Sequence, residues 1–178
     1  MIRLLLIGFC FISLVFGDEY HIRSGKVTYF GDHYLHQWQG VSETVTGQFI
    51  YDDINQNYNC VVSIPLTTFL SGNSNRDSNM LTYCRAIEFP NIEFESTEVL
   101  LASKNTIGIN GHIRFAGKTK IINLIVELSD NEKKGLVRAE GEFKINLSDF
   151  NIDRPSLLFA KINDTIKVEY VIEGEINE

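Results

Sequence analysis

From Thr106 to Phe115 the chain alternates, with Ile107, Ile109, Gly111, Ile113 and Phe115 set between Thr106, Gly108, Asn110, His112 and Arg114. The same period of two runs from Leu136 to Leu147, where Val137, Ala139, Gly141, Phe143 and Ile145 interleave with Arg138, Glu140, Glu142 and Lys144. It recurs from Ile166 to Ile176, where Val168, Tyr170, Ile172 and Gly174 interleave with Lys167, Glu169, Glu173 and Glu175. Successive side chains of a strand point to opposite faces, so each run puts one face in an apolar interior and the other in water. This is the pattern of antiparallel sheet, since parallel strands covered on both faces read as unbroken apolar runs. Thr119–Leu128 is apolar at nearly every position and predicts a strand with its outer face covered too. Further strands fit Tyr20–Phe30, Leu35–Tyr51 with a kink near Gly40, Tyr58–Leu66 and Ile92–Ala102.

Turn signals separate these runs, at Ser103-Lys104-Asn105, Ala116-Gly117-Lys118 and Ser129–Gly135. One helix is predicted over Arg76–Ile87, after the polar run Ser71–Asn75 and ending before Pro90. A short turn is expected at Ser148-Asp149-Phe150, with Ser148 as its cap. With no linker, repeat or low-complexity tract, the chain reads as one all-β domain of about eight antiparallel strands, a barrel or a sandwich. The side chains that the alternation turns inward are Phe49, Val62, Ile64, Phe94, Ile109, Ile113, Phe115, Leu124, Val126, Phe143, Ile145, Val168, Tyr170 and Ile172. Eight strands enclose either a packed core or room for one small ligand, and periodicity does not distinguish the two.

The first 17 residues have a different character. Arg3 precedes the apolar stretch Leu4–Phe16, which is shorter than the roughly 20 residues a spanning helix needs and has the proportions of a secretory signal cleaved after Gly17. The domain then occupies residues 18–178, with no stable membrane span expected. Of the three cysteines, Cys10 leaves with the signal. Cys60 and Cys84 are allowed to pair in an oxidising compartment, but the strand length separating them favours two buried free thiols over a disulfide. The formal net charge of −7 disfavours nucleic acid and anionic membrane surfaces as partners.

Catalytic signatures are missing. The chain has no Gly-x-Ser-x-Gly elbow, phosphate-cradling glycine loop, Cys-x-x-Cys pair or His-Glu-x-x-His motif. His33 and His36 have chelating spacing but no third ligand near them in sequence, and the strand carboxylates fall on outward positions. No enzyme activity, metal or cofactor is expected.

Several stretches together resemble the YceI-like family of exported lipid-binding (polyisoprenoid-binding) proteins. They are FLSGNSNRDSNML (69–81), AIEFPNIEFEST (86–97), INGHIRFAGKTKIINLIVEL (109–128), FKINLSDFNI (143–152) and NDTIKVEYVIEGE (163–175), with LHQWQGVSETVTGQF (35–49) similar to the second strand of one branch. The chain departs from the family pattern at Ala116, where histidine is frequent, and at Tyr83-Cys84-Arg85, both of which bear on ligand choice. The resemblance implies a lipocalin-like antiparallel barrel, monomeric or dimeric, with a long-chain isoprenoid or fatty-acyl lipid lying against the inward set. Trp38, Phe69, Met80, Leu81 and Leu158 then close the ends or touch the ligand. For an anionic head group the candidate cations are Arg76, Arg85, Lys118 and Arg154.

Overall fold

The computed structural model describes residues 18–52, 57–103, 105–131, 136–157 and 159–176. In chain order the strands are β1 (Asp18–His33), β2 (His36–Ser42), β3 (Thr46–Asp52), β4 (Asn57–Pro65), β5 (Asn91–Ser103), β6 (Thr106–Phe115), β7 (Lys118–Asn131), β8 (Leu136–Asn146), β9 (Ser156–Leu157), β10 (Ala160–Lys161) and β11 (Thr165–Ile176). Helix α1 (Ser74–Tyr83) lies between β4 and β5. Each barrel strand pairs antiparallel with its neighbours, in the circuit β1-β3-β4-β5-β6-β7-β8-β11. The circuit closes where β11 meets β1, from Tyr20↔Ile176 to Phe30↔Lys167. Closure removes the open edges that would otherwise invite pairing with other chains. The fold is the eight-stranded antiparallel barrel with one helix that the alternation and the family resemblance predict.

The expected strand 35–51 is divided. β2 pairs with the second half of β1 and β3 with the first few residues of β1, along the same edge. Gly40 stays in the ladder opposite Tyr29, and the interruption falls instead at residues 43–45. Its cause is the fully buried Ser42, whose hydroxyl bonds the Thr68 hydroxyl at 2.7 Å and accepts from the Thr44 N–H at 3.2 Å. The free edge of β2 is met by Leu70, which exchanges backbone hydrogen bonds of 2.9 Å with Val41. Residues 66–90, α1 included, thus cover one end of the barrel.

The helix also differs from the expected Arg76–Ile87. It starts two residues earlier because the Asn73 side chain accepts from the Arg76 N–H at 3.1 Å, an N-cap. It stops at Tyr83 because Arg85 turns left-handed at φ 54° and the Ala86 N–H bonds back to the Leu81 carbonyl. Past it, the Arg85 guanidinium lies over Phe89 at 4.9 Å and donates to the Ala116 carbonyl, fastening this turn to the β6–β7 hairpin.

β7 and β8 pair only from Glu127↔Glu140 to Asn131↔Leu136. Nearer the helix the two strands separate, and the 3-10 turn Leu147–Phe150 touches both. Ser148 does not cap this turn. Its N–H and hydroxyl both donate to the Asp164 carboxylate, tying the turn to the entry of β11. Among the described residues nothing covers the outer face of β7 at Ile121 and Ile125, which are 73% and 70% exposed. The outward carboxylates form exposed pairs across strands, as Arg114 does with Glu93 and Glu95, and Lys167 with Glu142 and Glu169. Such pairs contribute at most about 1 kcal/mol each.

The Ser148 hydrogen bonds hold the Asp164 carboxyl below its ordinary 3.8. A depressed acid stabilises the fold above its unfolded-state pKa, and that contribution is lost as pH falls through the folded value. Asp164→Asn is therefore expected to lower the Tm at pH 6, with the gap to the parent narrowing steadily towards pH 2.5. Thermal unfolding across that range checks it; a gap independent of pH contradicts it.

Candidate functional site: the barrel interior

The barrel is not filled by its own side chains. A cavity of about 440 Å3 occupies the helix end and a second of about 160 Å3 the opposite end. Val27, Ile64, Ile92, Ile113 and Phe143 line both, forming a waist between them. The larger volume lies within the roughly 300–1,000 Å3 of small-molecule sites. The far chamber is walled by Ile107, Ile109, Leu124, Val126 and their neighbours, with Tyr20, Gln48, Cys60 and Tyr170 as its polar side chains. The Tyr170 hydroxyl is buried without a hydrogen-bond partner among the described residues, and burial raises its pKa. Its oxygen fills the space beside Gly141, where a Cβ would lie 2.5 Å away.

The helix-end chamber gains its shape from the β1–β2 hairpin. Trp38 lies over Gly31 and Tyr29 over Gly40, so closely that a Cβ on either glycine would stand 2.3 or 2.2 Å from the ring. Aromatic rings covering cross-strand glycines are a known device for stiffening a curved sheet. Tyr29 also packs on Phe69, ring centres 5.8 Å apart, and lines the chamber together with Trp38. At the hairpin tip the buried His33 accepts from the Leu35 N–H through Nδ1, so Nε2 carries the proton and faces the Ala160 carbonyl at 3.3 Å. His36 lies 5.9 Å from it, ring to ring. Among the described residues no three His, Cys, Asp or Glu side chains gather as a metal site would require.

The inward set distributes between the two chambers. Phe49, Val62, Phe94, Ile109, Leu124, Val126 and Tyr170 line the far one, with Ile64, Ile113 and Phe143 at the waist. Trp38, Phe69, Met80, Phe115, Ile145 and Val168 line the helix-end chamber. Leu81 packs against the core without lining either, and Leu158 lies outside the described residues. Of the four cations only Arg76 lines a cavity. Arg85 is the strut already described, Lys118 is exposed at the start of β7, and Arg154 donates to the Ile162 carbonyl and pairs with Asp164 at 3.8 Å.

Sequence reading missed Val27, Tyr29 and His33, which line the helix-end chamber from β1. The reason is a bulge between Ile22 and Ser24. Tyr20 and Ile22 face inward before it, and the odd-numbered Gly25, Val27 and Tyr29 after it, so no single alternation spans the strand.

Cys60 and Cys84 are both free, lining the far and the helix-end chamber respectively. Burial pushes their thiols up to about 11 and about 12, far from the thiolate needed for reaction at neutral pH. A thiol reagent at pH 8 is expected to leave both unmodified in the native protein and to label both promptly after unfolding. Peptide mapping reads the result, and fast native labelling would contradict their placement.

Solved structures share this architecture. BcnA from Burkholderia cenocepacia superposes with a TM-score of 0.75 at 16% identity, over 84% of this chain and 95% of that one. A polyisoprenoid binding domain from Saccharophagus degradans, implicated in plant cell wall breakdown, gives 0.73 at 11% identity, over 89% and 98%. The Campylobacter jejuni YceI protein gives 0.65 at 18% identity, over 78% and 85%. No curated protein matches the chain. The YceI-like domain, as a family, matches residues 20–174, from the third residue of β1 to two residues before the end of β11. With nearly the whole barrel inside that match, the chain belongs to the YceI-like domain family.

Proposed function

We propose that the protein is an exported, non-catalytic lipid carrier that holds an isoprenoid or fatty-acyl chain along the barrel axis. The observation that carries this reading is the pair of apolar chambers, about 440 and 160 Å3, which meet at the wall formed by Val27, Ile64, Ile92, Ile113 and Phe143. The Saccharophagus degradans domain of the same fold, described as polyisoprenoid-binding, supports it. Export rests on the apolar segment Leu4–Phe16 behind Arg3. Each methylene moved from water into such an interior gains about 0.8 kcal/mol, or roughly fourfold in affinity, so a chain of ten or more carbons binds without any catalytic group.

Trp38, the sole tryptophan, lines the helix-end chamber and reports on its contents. Titration with fatty acids of increasing length is expected to change its emission saturably at one lipid per barrel. Affinity rises by roughly fourfold per carbon until the chambers are full, then levels off. Emission that never saturates, or affinity independent of chain length, would overturn the carrier reading.

A second reading, an interaction module using the outer wall, is favoured by the exposed Ile121 and Ile125. The two readings separate by substitution. Ile121→Lys with Ile125→Lys leaves lipid uptake intact if the interior is the functional site.

A further inference from the structure

Arg76 stands apart from the other described arginines. Arg23, Arg114, Arg138 and Arg154 each meet a carboxylate, and Arg85 donates to a backbone carbonyl. The Arg76 guanidinium has no such partner among the described residues and lies over the Trp38 ring at 5.2 Å. The neighbouring carboxylate, Asp77, accepts from the N–H and hydroxyl of Ser71 through Oδ1 and does not line the chamber. Arg76 is also the one permanently charged residue lining the helix-end chamber, whose wall holds no Asp, Glu or Lys.

Two side chains of the same wall have donors to offer. Asn73 spends its side-chain oxygen on the Arg76 N–H, which leaves its amide N–H2. Tyr29 lines the same chamber, and its hydroxyl can donate. Two donors beside one positive charge without an ion-pair partner, at one end of an apolar interior, complement a group that only accepts hydrogen bonds and carries negative charge.

Resting on the carrier reading, we propose that this mouth selects lipids bearing a singly charged oxyanion, in the simplest case a long-chain carboxylate, and that the Arg76 guanidinium holds that head group. One fixed positive charge in an otherwise uncharged wall balances one negative charge. A dianionic head would enter with half its charge uncompensated, in a protein already at net −7.

The test compares hexadecanoate, hexadecanol and hexadecyl phosphate by calorimetry at pH 7.5, on the protein and on Arg76→Gln and Arg76→Lys. The acid is expected to bind at least tenfold tighter than the alcohol. That ratio should fall to about twofold or less in Arg76→Gln and be partly kept in Arg76→Lys, with circular dichroism unchanged in both. A smaller preference in the parent, or one that survives in Arg76→Gln, overturns the assignment while the carrier reading stands. Tighter binding of the phosphate than of the acid overturns the single-charge selectivity. If none of the three binds, this assignment fails, and the carrier reading fails with it when a long-chain prenol does not bind either.

Discussion

Replacing Val168 by tryptophan is expected to abolish lipid uptake while the barrel stays folded. Val168 sits on β11 opposite Phe143 of β8 and Tyr29 of β1, and it lines the helix-end chamber. An indole there projects into unoccupied volume of about 440 Å3, so the 1–3 kcal/mol that overpacking costs in a filled core is largely avoided. The lipid is what gives way. Each methylene excluded forfeits about 0.8 kcal/mol, so displacing four removes about 3 kcal/mol, more than a hundredfold in affinity. Lipid retention measured on the pure variant, beside its Tm, checks this. Full uptake in a folded Val168→Trp protein would place the ligand elsewhere.

The second large effect is on stability. Phe150 is 1% exposed, and its ring lies 5.4 Å from that of Phe115. It belongs to the turn that touches β7 and β8 where those strands no longer pair. Phe150→Ala therefore removes a large buried side chain where no hydrogen-bond ladder holds the wall together. A loss of about 3–5 kcal/mol is expected. For a chain of this size that is a fall in Tm of roughly 6–20 °C. Ile87→Ala, at a fully exposed position, serves as the control and should stay within about 0.5 kcal/mol. A Phe150→Ala protein as stable as that control would mean the turn is not part of the closed wall.

The strands β6, β8 and β11 were legible almost to the residue because their alternation is unbroken and each has one wet face. β1 was legible as a strand but not in its facing, since a single bulge after Ile22 exchanges its two sides. The break at 43–45 depends on Ser42 finding Thr68, a partner 26 residues away that no local pattern announces. The helix ended early because Arg85 adopts a left-handed conformation usually left to glycine or asparagine. β7 looked covered on both faces from its apolar run, yet Ile121 and Ile125 face outward and are exposed among the described residues.

The candidate site was legible in its lining and not in its volume. Alternation placed Ile109, Leu124, Val168 and their neighbours inside, but whether they touch across the barrel depends on its radius and strand tilt, which no residue encodes alone. The same holds for the cations. Arg76, Arg85, Lys118 and Arg154 look equivalent in sequence, and they are told apart only by where the turns carry them: one into the cavity wall, the others onto a carbonyl, the surface or a carboxylate.

The most direct measurement is native mass spectrometry of the purified protein, followed by organic extraction and identification of whatever is released. The account predicts a single adduct of lipid mass per barrel, lost on extraction and greatly diminished in Val168→Trp. A barrel that carries no lipid, and takes up none when long-chain acids or prenols are supplied, would contradict it.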